Sequence, residues 1–148
     1  MFEALQYIEL SGEKYPIKCD LIVLENIQKE FGSIEKFEIG LIPWTPMLDK
    51  NGKSIIDEET GKTKVRGKIP KVDMVNKALI WMANEGEAIA AEQENRQVKK
   101  IDEKHLLRSV DLSLSELADI LHDEFARCFQ GKNPEAAQNP EMEETKEA

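Results

Sequence analysis

The sequence predicts an α+β fold that is mainly helical, with an N-terminal β-hairpin, a β-hairpin excursion and a core of packed helices. Apolar residues recur at helical spacing in 72–92 and in 113–130. Between the N-terminal part and these helices, residues 48–71 are rich in turn signals and poor in apolar residues. Because 148 residues suffice for one domain of ordinary size, we predict a single globular domain over residues 1–131.

Two short apolar runs near the N-terminus predict the first hairpin. One run ends at Leu10, and the other is Tyr15-Pro16-Ile17. The polar residues around Gly12 predict a connecting loop of three to five residues. Since proline has no amide hydrogen to donate to a sheet, the second strand should lie at an edge or begin at Pro16.

A bent pair of helices is predicted next. Asp20 is a suitable N-cap for the first helix, and Gly32 supplies its left-handed stop. Its apolar positions lie three or four residues apart, and they are Leu21, Leu24, Ile27 and Phe31. Ser33 can cap a second, short helix that closes before Pro43 and has on one side Ile34, Phe37 and Leu41.

Residues 48–71 predict a β-excursion inserted into the domain. Asn51-Gly52 is the strongest short hairpin-turn signal in the chain, and Thr60-Gly61 is a weaker one. The excursion has too few apolar residues to form a core of its own. We therefore expect it to be supported by the helical part of the domain.

The two long helices should form most of the core. The first has one apolar stripe made of Val72, Val75, Leu79, Met82 and Ile89, and a second, adjacent stripe made of Met74, Ala78, Trp81 and Ala88. Gly86 should weaken this helix by about 1 kcal/mol and bend it at most. Ser113 and Glu116 form a capping-box pattern that opens the second helix, whose stripe is Leu114, Leu117, Leu121, Phe125 and Cys128. That helix should stop at Gly131, and the polar residues 92–100 should be a frayed helix end or a linker.

Composition excludes several classes of protein. The chain has 20 Lys and Arg against 29 Asp and Glu, and its net charge of −9 disfavours general binding to nucleic acid. The longest apolar run is six residues, far short of a membrane span, so we expect a soluble, cytoplasmic protein without a signal peptide. Residues 132–148 hold five glutamates and two prolines, and we predict a disordered acidic tail.

No catalytic or metal-binding constellation is visible. Cys19 and Cys128 form no close pair in sequence, which fits a reducing compartment rather than a zinc site or a disulfide framework. His105 and His122 lie near carboxylates, but the spacing does not bring three ligands to one helix face. We therefore expect a non-enzymatic protein with no cofactor and no metal.

Two features instead suggest a surface for a protein partner. Four cationic residues alternate with other residues and would share one face of a strand: Lys62, Lys64, Arg66 and Lys68. They favour either a solvated edge strand that resists aggregation or a docking site for an acidic partner segment. Trp44 stands in a proline-flanked loop, where it either plugs the core or anchors another protein.

Two segments of the chain carry a family resemblance. They contain Tyr15-Pro16-Ile17, Leu24, Ile27 and Phe31-Gly32-Ser33-Ile34, and then Leu79-Ile80-Trp81-Met82 with Asn84-Glu85-Gly86. Over about residues 7–41 and 72–90 the sequence resembles tail assembly chaperones of long-tailed bacteriophages and prophages. The excursion at 48–71 is an insertion relative to that pattern.

The resemblance implies a function in the cytoplasm of the bacterial host. A protein of this family would escort the tape-measure protein, and bind it or the tail tube protein, while the tail tube is assembled. It brings no catalytic residues. The alternatives are an acidic regulatory or inhibitor protein that acts by protein binding and, with less support from the residues, a small cytosolic enzyme.

Overall fold

The computed structural model describes residues 4–130, and this part of the chain has a mainly helical α+β fold, as predicted. Five helices are accompanied by two small antiparallel sheets of two strands each. The predicted tail at 132–148 lies outside the described residues. The last helix ends at Arg127, so the prediction that it continues to a stop at Gly131 was wrong. In chain order the elements are β1 (Gln6–Leu10), β2 (Glu13–Ile17), α1 (Leu21–Phe31), α2 (Ile34–Leu41), β3 (Trp44–Pro46), β4 (Val65–Gly67), α3 (Val72–Gln93), α4 (Glu103–Arg108) and α5 (Leu114–Arg127).

The N-terminal hairpin has a tighter turn than predicted. Leu10 pairs directly with Glu13, so the loop contains two residues, and the prediction of three to five was wrong. Both Ser11 and Gly12 adopt positive φ values, 50° and 83°, as a twisted two-residue turn requires. The Ser11 hydroxyl donates a 2.6 Å hydrogen bond to the carbonyl oxygen of Ser109, so a distant part of the chain helps to hold the unfavourable conformation.

The first helix begins as predicted, and Leu24, Ile27 and Phe31 pack on the core as predicted, whereas Leu21 does not. Asp20 Oδ1 accepts hydrogen bonds from the amides of Ile22 and Val23, at 3.1 and 3.2 Å. Leu21 is 80% exposed, so its assignment to the apolar face was wrong, and Val23 is buried instead. The helix therefore packs through a face centred on Val23 and Ile27.

The second helix agrees with its prediction. The Ser33 hydroxyl accepts a hydrogen bond from the Lys36 amide at 3.2 Å. Phe37 and Leu41 are buried, and Ile34 packs partly against the core. The rings of Phe37 and Phe125 lie 5.6 Å apart, which joins α2 to α5.

Helix α3 is the centre of the domain and contacts β2, α1, α2, α4 and α5. Gly86 lies against the backbone of β2, where an added Cβ would lie 2.1 Å from the Pro16 carbonyl oxygen. One turn away, the Lys18 amide donates a 3.0 Å hydrogen bond to the Met82 carbonyl oxygen. Gly86 is therefore needed for the close approach of strand and helix, a role that its helix propensity does not indicate.

The ends of the predicted α3 stripes differ from expectation. Val72 is exposed, and Ile89 and Ala88 are only half-buried, whereas Ile80, Ala83 and several other residues complete the buried face. The buried residues of the helix are Met74, Val75, Ala78, Leu79, Ile80, Met82, Ala83, Gly86, Glu87, Ala90 and Ala91. The helix thus buries a wide face along most of its length, as the sequence predicted.

The polar segment after α3 is held by a buried carboxylate. Glu87 accepts two hydrogen bonds from the Arg96 guanidinium, at 2.6 and 3.1 Å, and one from the Lys99 amide at 2.7 Å. These bonds keep the pKa of Glu87 below its usual value, chiefly through the Arg96 side chain. The segment predicted as a frayed end or linker is therefore folded back onto the helix.

Helix α5 opens with the predicted capping box. The Ser113 hydroxyl accepts from the Glu116 amide at 3.1 Å, and the Glu116 carboxylate accepts from the Ser113 amide at 3.3 Å. Leu117, Leu121 and Phe125 are buried against the rest of the core. The two long helices contact each other, as expected from their apolar stripes.

Candidate functional site

The excursion is a branched β-structure, which we call the β-module and define as residues 44–67. Strands β3 and β4 form its stem, with Trp44 opposite Gly67 and Pro46 opposite Val65. The pairing begins at Trp44, four residues before the predicted start of the excursion at 48. Beyond the stem the chain makes two bridges, Leu48 to Ser54 and Ile56 to Thr63. The single predicted hairpin is thus a stem that carries two hairpin tips.

Each tip is fixed by one aspartate and one glycine. Asp49 Oδ1 accepts hydrogen bonds from the amides of Asn51 and Lys53, at 2.8 and 3.0 Å, and Gly52 has a φ of 81°. In the other tip, Asp57 Oδ1 accepts from two backbone amides, and Gly61 has a φ of 71°. Both tips form at the predicted turn signals. Their hydrogen bonds join residues two to four positions apart in sequence, so they need no support from the core.

The two ends of the β-module meet at the helical part of the domain. The Lys68 amide donates a 3.0 Å hydrogen bond to the Pro43 carbonyl oxygen, and the Lys71 amide donates a 2.8 Å bond to the Gly40 carbonyl oxygen. The Lys68 ammonium also donates to the carbonyl oxygen of Ile39, at the end of α2. The module therefore leaves and re-enters the helical part at nearly the same point.

One face of the stem is apolar and exposed to solvent. Cross-strand partners of an antiparallel pair share a face, so Trp44, Pro46 and Val65 lie on the same side. Trp44 is 43% exposed and Val65 is 50% exposed. At the bridges, Leu48 and Ile56 are also more than half exposed. The structure thus places Trp44 on the surface rather than as a plug in the core.

The opposite face of the stem is basic. Arg66 is paired with Thr45, so its side chain projects away from Trp44 and Val65. Lys64 is exposed and directly precedes β4. Lys62 is exposed in the bend after Gly61. Lys68 lies past the end of the strand, and its ammonium is bound to the end of α2. Of the predicted row of four cations, only Arg66 therefore lies on the strand itself, with Lys62 and Lys64 before it and Lys68 after it.

An open cavity of about 530 Å³ extends this surface toward α2. Two exposed isoleucines, Ile39 and Ile69, lie on its walls. Three lysines surround them, namely Lys36, Lys68 and Lys71. This site could not be predicted from the sequence, because the whole excursion separates α2 from the end of the module. The five Lys and Arg between residues 62 and 71, with no Asp or Glu among them, were its one visible signal.

The interior contains a pair of carboxyl groups. Burial of Glu85, together with its hydrogen bond and charge interaction with Asp20, raises the pKa of Glu85 to about 7. Asp20 is the N-cap of α1, so this pair joins α3 to the start of α1. The hydrogen bond between the two side chains is favoured when Glu85 is protonated, so the pair stabilises the fold in that state.

The two histidines and the two cysteines also lie in structural contacts. His122 Nε2 is 2.8 Å from Glu38 Oε2, which links α5 to α2, and the His105 amide donates to Asp102 at the start of α4. The thiols of Cys19 and Cys128 are hydrogen-bonded to each other, and burial raises the pKa of both. Within residues 4–130, no three side chains of His, Cys, Asp or Glu are grouped so that they could hold a metal ion.

The residues that carry the family resemblance meet inside the fold. Gly86 lies against Pro16, and the rings of Phe31 and Trp81 are 6.1 Å apart in an edge-to-face arrangement. These residues are packing positions that join β2, α1 and α3. They form part of the core, whereas the apolar residues of the β-module are exposed.

Among the described residues, no helix has both the length and the apolar character needed to cross a membrane. No protein-family model matches the chain, and no curated protein and no solved structure shows significant similarity to it.

Proposed function

We propose that this chain is a non-enzymatic tail assembly chaperone of a long-tailed phage or prophage, and that it binds the tape-measure protein through the β-module. The observation that carries the proposal is the exposed, two-sided stem, with Trp44 and Val65 on one face, Arg66 on the other and Lys64 directly before β4. Exposed apolar surface of this kind is typical of sites that bind other proteins. The resemblance to tail assembly chaperones supplies the identity of the partner.

The charge distribution indicates the chemistry of the partner segment. The chain as a whole has a net charge of −9, which keeps it dispersed and repels most acidic macromolecules. The segment 62–71 has five positive charges and no negative ones. A partner segment with apolar residues beside acidic ones would be steered to this region, and its apolar side chains would then cover Trp44 and its neighbours.

Co-expression with the neighbouring tape-measure protein tests the proposal. We expect the chain to keep that protein soluble and to co-purify with it. Replacement of Trp44 and Val65 by Ser should remove apolar contact area and reduce capture. The double variant Lys64→Glu with Arg66→Glu should also reduce capture, and added salt should weaken the wild-type complex because exposed charges are screened over about 10 Å at 0.1 M.

The control for the Lys64→Glu, Arg66→Glu variant reverses two positive charges outside the β-module. Lys14 on β2 and Lys29 on α1 are exposed and outside the β-module, so their replacement by Glu should leave capture intact. Capture that survives both β-module variants would remove this surface from the interface. Failure to capture any tail protein, combined with turnover of a metabolite, would overturn the proposed function.

An acidic regulatory protein is the second candidate, because the net charge of −9 would suit binding to a basic target. In that case the acidic helix faces would form the interface. Capture of a basic partner should then be weakened by neutralising exposed glutamates and left unchanged by the β-module variants.

A further inference from the structure

The only two cysteines of the chain lie together in the structure although 108 residues separate them in sequence. Cys19 connects β2 to α1 and is 1% exposed, and Cys128 follows the last residue of α5 and packs partly against the core. Both are free thiols. Their side chains are hydrogen-bonded to each other.

A second contact fixes the two segments independently of the thiols. The Cys19 amide donates a 2.9 Å hydrogen bond to Glu124 Oε2, and Glu124 is 3% exposed. Glu124 precedes Cys128 by four residues, so the two lie on the same side of the end of α5. The backbone at Cys19 is therefore anchored on the same helical turn that presents Cys128.

We propose that Cys19 and Cys128 form a reversible intramolecular disulfide when the protein meets a low-molecular-weight disulfide such as oxidised glutathione. The bond would tie the junction of β2 and α1 to the end of α5. Because the two thiols are hydrogen-bonded in the native chain, the disulfide would join side chains that are already neighbours.

The reaction proceeds by two exchanges. The more accessible Cys128 loses its proton to solvent, and its thiolate attacks one sulfur of oxidised glutathione, which forms a mixed disulfide and releases one glutathione thiolate. Cys19 then loses its proton and attacks the Cys128 sulfur, which releases the second glutathione. The two protein thiols are oxidised to one disulfide, one oxidised glutathione is reduced to two glutathiones, and the two protons end on the released thiols.

Equilibration of the full-length chain in glutathione redox buffers tests the proposal. At each ratio of reduced to oxidised glutathione, free thiols are trapped with an alkylating agent, and the linked fraction is read from intact mass and from a crosslinked peptide holding both cysteines. We expect the native chain to be mostly linked at a ratio at which the same chain unfolded in urea is mostly reduced. The linked chain should melt roughly 5 to 15 °C above the reduced chain, as expected for a crosslink that closes a long loop.

Two single variants provide the controls. In the Cys19→Ala variant, the reaction should stop at the mixed disulfide between Cys128 and glutathione. In the Cys128→Ser variant, the buried Cys19 should stay unmodified. Neither variant should show the rise in melting temperature. If native wild-type protein remains doubly alkylated at every ratio, or if it accumulates only a Cys128–glutathione adduct or a dimer between chains, the proposal is wrong. These outcomes leave the proposed partner binding untouched, since both cysteines lie outside the β-module.

Discussion

At the scale of single residues, Gly86 provides a sharp test of the packing between β2 and α3. We expect Gly86→Ala to destabilise the protein by roughly 1 to 3 kcal/mol, because the new methyl group would overlap the Pro16 carbonyl oxygen and force strand and helix apart. This effect opposes the gain of about 1 kcal/mol that alanine gives in an ordinary helix interior. The measurement is the free energy of unfolding from urea titration.

The matched control is Asn84→Ala, an exposed position on the same helix. It should leave the free energy of unfolding within about 0.5 kcal/mol of the wild type. If Gly86→Ala proved as stable as this control, the close approach of β2 to α3 would be wrong.

Glu85 should make stability depend on pH. Its pKa is raised to about 7 by burial and by Asp20, whereas the unfolded chain keeps the ordinary value near 4.5. Because its folded-state pKa is raised, Glu85 makes its full contribution to stability below about pH 4.5. This contribution falls as the pH rises toward 7 and does not change further above that pH. Glu85→Gln keeps the side chain neutral, so we expect it to be more stable than the wild type at pH 8 by about 1 kcal/mol, after allowance for solvent screening of this half-buried group.

Urea titrations at pH 5 and pH 8 measure this effect. Glu92→Gln, which changes an exposed carboxylate on the same helix, should follow the pH dependence of the wild type. A Glu85→Gln variant with an unchanged pH dependence would contradict the proximity of Glu85 and Asp20.

Residues whose conformation depends on their neighbours in sequence were the ones that could be predicted. Asp20, Ser33 and the Ser113–Glu116 pair cap helices through bonds that span two or three residues, and all were recognised. The turn at Ser11 was not, because a serine with positive φ is unfavourable unless something distant holds it, and its partner Ser109 lies 98 residues away.

At the scale of elements, the packing of α3 on the rest of the core can be tested directly. Leu79 and Leu121 are fully buried on α3 and α5. Replacing either with alanine should cost about 2 to 5 kcal/mol of unfolding free energy, since the cavity cannot fully collapse. Val72→Ala, on an exposed position of α3, should cost less than about 0.5 kcal/mol. A loss below that value at Leu79 would show that the core is elsewhere.

The elements of the β-module were only partly predictable. Its two turns carry their own signals in Asp49, Gly52, Asp57 and Gly61, and these were found. The pairing of β3 with β4 could not be found, because both strands have three residues and no alternating pattern long enough to identify them. The alternation of cations around Arg66 predicted a basic face, but only the pairing of β3 with β4 places Trp44 on the opposite face.

At the scale of the whole molecule, the β-module should be separable from the helical part. Because the Pro43 carbonyl oxygen and the Lys68 amide are 3.0 Å apart, residues 44–67 can be replaced by a short Gly-Ser linker without moving the ends. We expect the shortened chain to keep its helical circular dichroism and a cooperative melt, and to lose capture of the tape-measure protein. Unfolding of the shortened chain would show that the helical part depends on the module, and retained capture would place the interface elsewhere.

Contacts between distant parts of the chain were the features hardest to predict from the sequence. The cavity beside α2 combines Ile39 with Ile69, and the contact of Cys19 with Cys128 joins the two ends of the described chain. Both depend on the final arrangement of helices, and the only sequence signal was the run of Lys and Arg in 62–71, which indicated the cavity and not the cysteine pair.

The hydrogen bond between Pro43 and Lys68 also bears on the order of folding and on tolerance to insertion. Docking of α2 against α3 fixes both ends of the β-module, so the entropy of closing this loop is lost when the helices assemble. Doubling the length of the loop would add only about 0.6 kcal/mol to that cost. The two tips at Asn51-Gly52 and Thr60-Gly61 are therefore positions where a reporter peptide or a new recognition sequence can be introduced while the helical scaffold folds as before.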